Sequence, residues 1–278
     1  MQRLEFSPLR LWFLTLNALR EAVRQSFLHC LVVLAVVVLL AAQAFREFHF
    51  GSPELKFIAD VGLGAMAGFG AVLTVVTTAQ LFFSEIERRT VLTLLAKPVG
   101  RAEFVLGKFL AVAVLVGAFC FLLTGLLTAL VWARESALMR EWPEVFATGR
   151  VINYGHLAVA GLLQWLKLLV LGALTLLLAS YARTQLFTVM MGFLVYVLCH
   201  LQPVALAASG RGGSSATGVV AGLVVRAVPN FQLFSLADTI GGSVVLQWTP
   251  ITRVALYAIA YVIVACALAV FCFRRREF

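Results

Sequence analysis

CLVVLAVVVLLAA, residues 30–42, has no polar side chain apart from its leading thiol. A membrane β-strand would alternate apolar and polar residues, because one face meets lipid and the other the barrel interior. This run does not alternate. Only backbone-saturated helices or closed barrels cross hydrocarbon, so the run reads as a transmembrane helix. Working outward, six stretches are apolar for roughly 18 residues or more, the length that spans a bilayer core. They run over 27–44, 61–83, 104–132, 157–180, 186–206 and 253–273. The chain of 278 residues is 62% hydrophobic and 13% charged, against about 45–50% and about 25% in soluble domains. The fold class is all-α: a polytopic membrane protein of six spans.

The net charge of +9 fits a membrane protein better than a nucleic-acid binder, because basic residues flank spans for topological reasons. Arg3, Arg10, Arg20, Arg24, Arg88, Arg89, Lys97, Arg101, Lys108, Arg183 and Arg274–Arg276 fall on one side, close to the spans. The other side carries fewer, more dispersed cations. Both termini are therefore expected in the cytoplasm. Cys30, Cys120, Cys199, Cys266 and Cys272 all lie in apolar runs without CxxC or His spacing. They read as small hydrophobes.

Residues 1–25 precede the first span. Leu9, Trp12, Phe13, Leu16, Leu19 and Val23 share one side of a helix, and Arg10, Asn17, Arg20, Glu21 and Arg24 the other. That pattern suits a helix lying in the membrane interface. A signal peptide fits poorly, because the apolar run starts late and continues into a full span. The region 207–250 is expected outside. It opens on the flexible ASGRGGSSATG and continues into an apolar stretch suited to a re-entrant or interfacial helix. A seventh span there would put the Arg274–Arg276 tail outside.

Between the second and third spans lies EIERRTVLTLLAKPVGRAEFVLGK, residues 85–108. Glu85 stands three and four residues before Arg88 and Arg89, the favourable order for helical ion pairs. Val91, Leu92, Leu94 and Leu95 give an apolar face. Pro98 disfavours helix at Lys97, Gly100 permits a turn, and a new helix starts near Arg101. This is a short amphipathic helix followed by a corner. Physics alone leaves two readings open, a solvated connector or a lever for a soluble partner.

The same segment resembles the cytoplasmic segment of ABC-2 type permeases, the membrane subunits of type V ABC transporters. The resemblance is carried by Glu85, Glu87, Arg88, Thr90, Leu92, Leu94, Leu95, Lys97, Pro98, Arg101, Glu103, Gly107 and Lys108, and further along by VPNFQLF, residues 228–234. Arg89 departs from the Gly of many members. The resemblance implies a coupling segment over 84–103, seated in a cleft of an ATPase through Glu85, Glu87, Arg88, Arg89, Thr90, Leu94, Lys97, Pro98 and Arg101. It implies a dimer of ATPase subunits that bind ATP and Mg, and a second permease copy or paralogue. This chain has no GxxxxGK[ST] loop, so no catalytic, cofactor or metal residue is expected in it.

GLGAMAGFG, residues 62–70, brings Gly64 and Gly68 four apart, with Gly62, Gly70, Ala67 and Ala71 nearby. Small residues at that spacing allow close helix approach, within one chain or across a dimer. Thr74, Thr77 and Thr78 follow at helical spacing, and threonine can satisfy itself on its own backbone. The resemblance implies that the second and fifth spans meet the partner subunit, which nominates Thr74, Thr77, Thr78, Met190, Met191 and His200 for the pathway. His200 on its own reads as an interfacial residue. Lys167 is placed in the outer part of the fourth span and is expected to snorkel to the headgroups, although a cation inside a membrane is a functional candidate by default.

The function expected is a permease subunit driven by a separate ATPase, exporting a lipidic or amphipathic substrate or doing mechanical work on an external partner protein. An intramembrane lipid-modifying enzyme and a non-transporting anchor of an assembly are the alternatives. An intramembrane enzyme would need convergent polar groups at one depth, and the spans hold few carboxylates.

Overall fold

The computed structural model describes residues 7–43, 52–87, 100–141, 143, 152–209, 228–235 and 248–275. It is all helical. α1 is Pro8–Val23, α2 Ser26–Ala41, α3 Ser52–Glu87, α4 Arg101–Glu141, α5 Tyr154–Tyr181, α6 Gln185–Ser209 and α7 Trp248–Arg274. A 3-10 turn, Phe231–Phe234, lies between α6 and α7. α3, α4, α5, α6 and α7 are each long and apolar enough to cross a membrane. α1 and α2 pass the same test together, but they bend by 66° at their junction. The amphipathic first helix and the apolar second are thus separate rods.

α3, α4 and α5 form the centre. Half or more of the spanning window is buried in each, against 17% in α6 and 22% in α7. α5 packs on α3, α4, α6 and α7, so it is the axial helix of the bundle. The core is built where apolar side chains interdigitate, with Leu73, Val116, Leu123, Leu127, Leu168 and Leu171 all sealed. α6 and α7 turn large apolar residues outward, among them Leu186, Met190, Val204, Leu256 and Ile263. Such faces suit lipid or another chain.

Two helices run past the expected spans. At 1.5 Å per residue, α3 and α4 are about 54 and 62 Å long, well beyond a roughly 30 Å hydrocarbon core. The stretch 52–60, expected within a loop, is the first two turns of α3, and 133–141 is the end of α4. Tertiary pairing explains the difference. Arg134 Nε donates to Glu54 Oε1 at 2.6 Å, joining the two extensions. Glu135, fully buried, accepts from Ile152 N at 3.2 Å and from the Tyr154 hydroxyl, fixing the start of α5. The side chain of Asn153 caps that helix by accepting from Gly155 N at 3.0 Å.

α6 reaches Ser209 and α7 begins at Trp248, so both ends of the expected region 207–250 are helical. Most of the stretch expected to re-enter the membrane lies outside the described residues. Its described part, 228–235, holds the 3-10 turn, packed on α5 and α6. Asn230 N donates to the Tyr257 hydroxyl at 3.0 Å and ties the turn to α7. Among the cysteines, Cys120, Cys199 and Cys266 are buried, whereas Cys30 faces outward from α2.

Candidate functional site

Residues 88–99, which hold most of the expected coupling segment, lie outside the described residues. So do Arg88, Arg89, Thr90, Leu94, Lys97 and Pro98 with them. The backbone of α3 continues through Glu85 and Glu87, and α4 opens at Arg101, where a new helix was expected. What the structure does show is the block from which this segment leaves and to which it returns.

That block is built around Glu103, which is 2% exposed. It stands three residues after Gly100, the spacing at which a helix's third residue reaches back to its own cap. Gly100 N donates to Glu103 Oε2 at 3.0 Å. The other oxygen, Oε1, accepts from Ser7 N at 2.8 Å, and Ser7 is the N-cap of α1. One carboxylate therefore caps two helices, and both ends have N–H groups that need an acceptor. One turn on, a Cβ at Gly107 would stand 3.0 Å from Leu14 Cβ and 3.7 Å from Thr15 N, so α1 lies directly on the α4 backbone. Lys108 Nζ, one residue further, faces Glu21 Oε2 at 3.8 Å. Glu103, Gly107 and Lys108 are three successive fasteners for α1.

α7 and α3 join the same block. Arg101 Nη1 donates to the Arg274 carbonyl at 2.6 Å, so this expected ATPase contact is engaged by the last turn of α7. Phe273 stacks on Phe104 at 5.5 Å and meets Phe82 edge-on at 5.5 Å. Phe82 also lies 6.1 Å from Phe104. These three rings belong to α7, α4 and α3. The end of the bundle that carries Arg20, Arg101, Lys108, Arg183, Arg274 and Arg275 is thus one packed unit, called here the basic end. Sequence reasoning did not nominate Ser7, Glu21, Phe82, Glu103, Phe104, Lys108 or Phe273 as site residues. The spacing of Gly100 and Glu103 was the available signal.

The glycines of α3 divide in two. Cβ atoms at Gly62 and Gly70 would fall 2.5 Å and 2.6 Å from Leu127 and Leu168 side chains, so these two glycines admit α4 and α5. At Gly64 and Gly68 nothing lies within 4 Å. They belong to an outward stripe with Phe57, Val61, Val72 and Val76.

The other nominated pathway residues do not share that stripe. Thr74, Thr77 and Thr78 are buried inside the chain. Thr74 Oγ1 donates to the Gly70 carbonyl at 2.7 Å and Thr78 Oγ1 to the Thr74 carbonyl at 2.6 Å. Thr74 and Thr78 face Gly172 of α5. The helix backbone thus supplies acceptors for Thr74 and Thr78, whereas the buried Thr77 Oγ1 has no hydrogen-bond partner among the described residues. Met190 is 65% exposed and Met191 half-buried on α6. His200 is wedged between Tyr196 and Phe231, with ring centroids 4.4 and 5.5 Å away, and its Nδ1 pairs with the Tyr196 carbonyl at 3.0 Å. It fastens the 3-10 turn to α6.

Lys167 sits at the middle of α5, is 6% exposed, and does not reach either end of the helix. It lines a cavity of about 230 Å³ with Asp60, Gly64, Gln164, Phe234 and Ser235.

A family model described as ABC-2 family transporter protein matches residues 12–278. A search of curated proteins returned no match.

Proposed function

The chain belongs to the ABC-2 transporter family, a family of permease components, and on that footing we propose that it converts ATP hydrolysis in a separate ATPase dimer into helix movement across a membrane. It is a multi-pass membrane protein. In this reading the basic end faces the cytoplasm of a bacterium and the membrane is the inner one. Residues 84–103 seat in the ATPase. ATP and Mg are bound there and not in this chain. A second permease copy or a paralogue completes the transporter, with Gly64 and Gly68 on the shared face. The cargo is lipidic or amphipathic, or the movement is delivered to an external partner.

One observation carries the mechanical half of this reading. The segment between α3 and α4 is anchored at both ends in a block where Glu103, Gly107, Lys108, Arg101 and the Phe82–Phe104–Phe273 cluster join α1, α3, α4 and α7. A displacement of that segment moves four helices together, because packed interfaces shift as units and do not deform continuously.

The experiment is coexpression with a candidate ABC ATPase subunit from the same genome. The wild-type pair is expected to co-purify and to hydrolyse ATP in a bilayer. Scrambling residues 88–99 is expected to leave the chain folded in the membrane and to abolish both. Undiminished co-purification of the scrambled variant would overturn the reading.

A further inference from the structure

The cavity beside Lys167 is not explained by packing. An ammonium buried on a spanning helix is costly unless paired or hydrated, yet no described residue accepts a hydrogen bond or forms an ion pair with it. Side chains on a helix lean toward its N-terminus, which carries the Lys167 ammonium toward the level of Gln164 and Ala160, both of which line the same cavity. Gln164 is 7% exposed, and its amide nitrogen has no acceptor among the described residues. Two adjacent donors thus converge on one space. From α3, Asp60 brings a carboxylate to the same wall. The space, about 230 Å³, equals roughly seven waters' share of liquid volume, which suits a compact polar group. Gly64, on the outward stripe of α3, forms part of its wall.

We propose that this cavity is a binding site for a phosphate–ammonium zwitterion. The phosphate oxygens accept from Lys167 and Gln164, and the ammonium is held by Asp60. The position favours the headgroup of an aminophospholipid, because the rest of the wall is apolar, with Leu63, Ala67, Ala160 and Phe234. A soluble phosphoethanolamine would meet the same three side chains. The assignment names the cargo class of the transport reading and rests on it. Binding is measured here without any ATPase, so the two fail separately.

The test is native mass spectrometry of the purified full chain in detergent. The probes are dioleoyl-phosphatidylethanolamine, dioleoyl-phosphatidylglycerol and dioleoylglycerol, with phosphoethanolamine as a soluble competitor. Phosphatidylethanolamine is expected to be retained roughly tenfold more than dioleoylglycerol. Lys167→Met and Gln164→Leu should each reduce that retention several-fold, and Lys167→Arg should keep most of it. Asp60→Asn should erase the preference for phosphatidylethanolamine over phosphatidylglycerol. Thermal unfolding of each variant checks that the fold tolerates the change. Competition by phosphoethanolamine at equal concentration would assign the site to the soluble zwitterion. Equal retention of phosphatidylethanolamine and dioleoylglycerol, or unchanged retention in both Lys167→Met and Gln164→Leu, with no effect of phosphoethanolamine, would overturn the proposal.

Discussion

Glu103 is bound on both of its oxygens by backbone N–H groups of two different helices, at 2.8 and 3.0 Å. A buried carboxylate in such a place costs desolvation, and the charge-assisted bonds offset it. Truncation removes the acceptor but leaves both donors where they are. Leaving a buried donor unpaired costs about 1–3 kcal/mol, so Glu103→Ala is expected to lower the unfolding temperature clearly. Glu103→Gln keeps one carbonyl oxygen and should fall between Ala and wild type. Chemical denaturation in lipid nanodiscs measures both. Equal stability of all three would mean that Ser7 and Gly100 find other acceptors. The opposite end of the bundle uses the same device with Glu135, which accepts from Ile152 N and the Tyr154 hydroxyl. Neither role was plain in the sequence. Glu103 stood out as part of the 84–103 segment, and its spacing from Gly100 signalled a cap, but only the fold brings the second donor, Ser7 N, to it.

At the scale of elements, α1 is held to α4 by contacts in register along one face. Leu14 and Thr15 lie over Gly107, and about two turns further along α1 Glu21 meets Lys108, the residue after Gly107. The opposite face of α1 leaves Leu9, Trp12 and Phe13 more than half exposed, as an interfacial helix requires. A side chain at Gly107 would meet Leu14 Cβ, which is fixed to the backbone and cannot rotate away. Gly107→Val is therefore expected to lift α1 from α4 and to cost about 1–3 kcal/mol, the range for overpacking. Spin-label distances between α1 and α4 should lengthen and broaden. An unchanged distance distribution would show that α1 is held elsewhere. The spans themselves were legible because lipid demands long apolar runs, and 104–132 satisfies that demand without help, whereas α2 reaches a spanning length only together with α1. The helical turns at 52–60 and 133–141 were not legible. Glu54, Arg134 and Glu135 make those turns look like loop, and their pairing across α3, α4 and α5 is a tertiary fact. The amphipathic pattern of α1 was legible, but its seat on α4 was not, because Gly107 looks like any other glycine in a span.

At the scale of the whole molecule, the unresolved question in the sequence was which glycines of α3 serve this chain and which serve another. Gly62 and Gly70 face Leu127 and Leu168, whereas Gly64 and Gly68 face nothing. The two pairs lie on different sides of one helix, so a single substitution can test folding and association separately. Gly70→Leu forces a branched side chain into the Leu168 site and is expected to destabilise the monomer by about 1–3 kcal/mol. Gly64→Leu with Gly68→Leu adds side chains where no packed neighbour stands within 4 Å, Gly64 also bordering the Lys167 cavity, and changes of that kind usually stay within about 0.5 kcal/mol. The double variant should therefore melt close to wild type. Close approach of two helices in lipid depends on small residues at this spacing, and two leucines hold the backbones apart. Energy transfer between differently labelled copies in one bilayer is expected for wild type and should fall to the unassociated level in the double variant. Retained transfer in that variant would move the subunit contact to another surface, with the exposed apolar face of α6 through Leu186, Met190 and Val197 as the next to test.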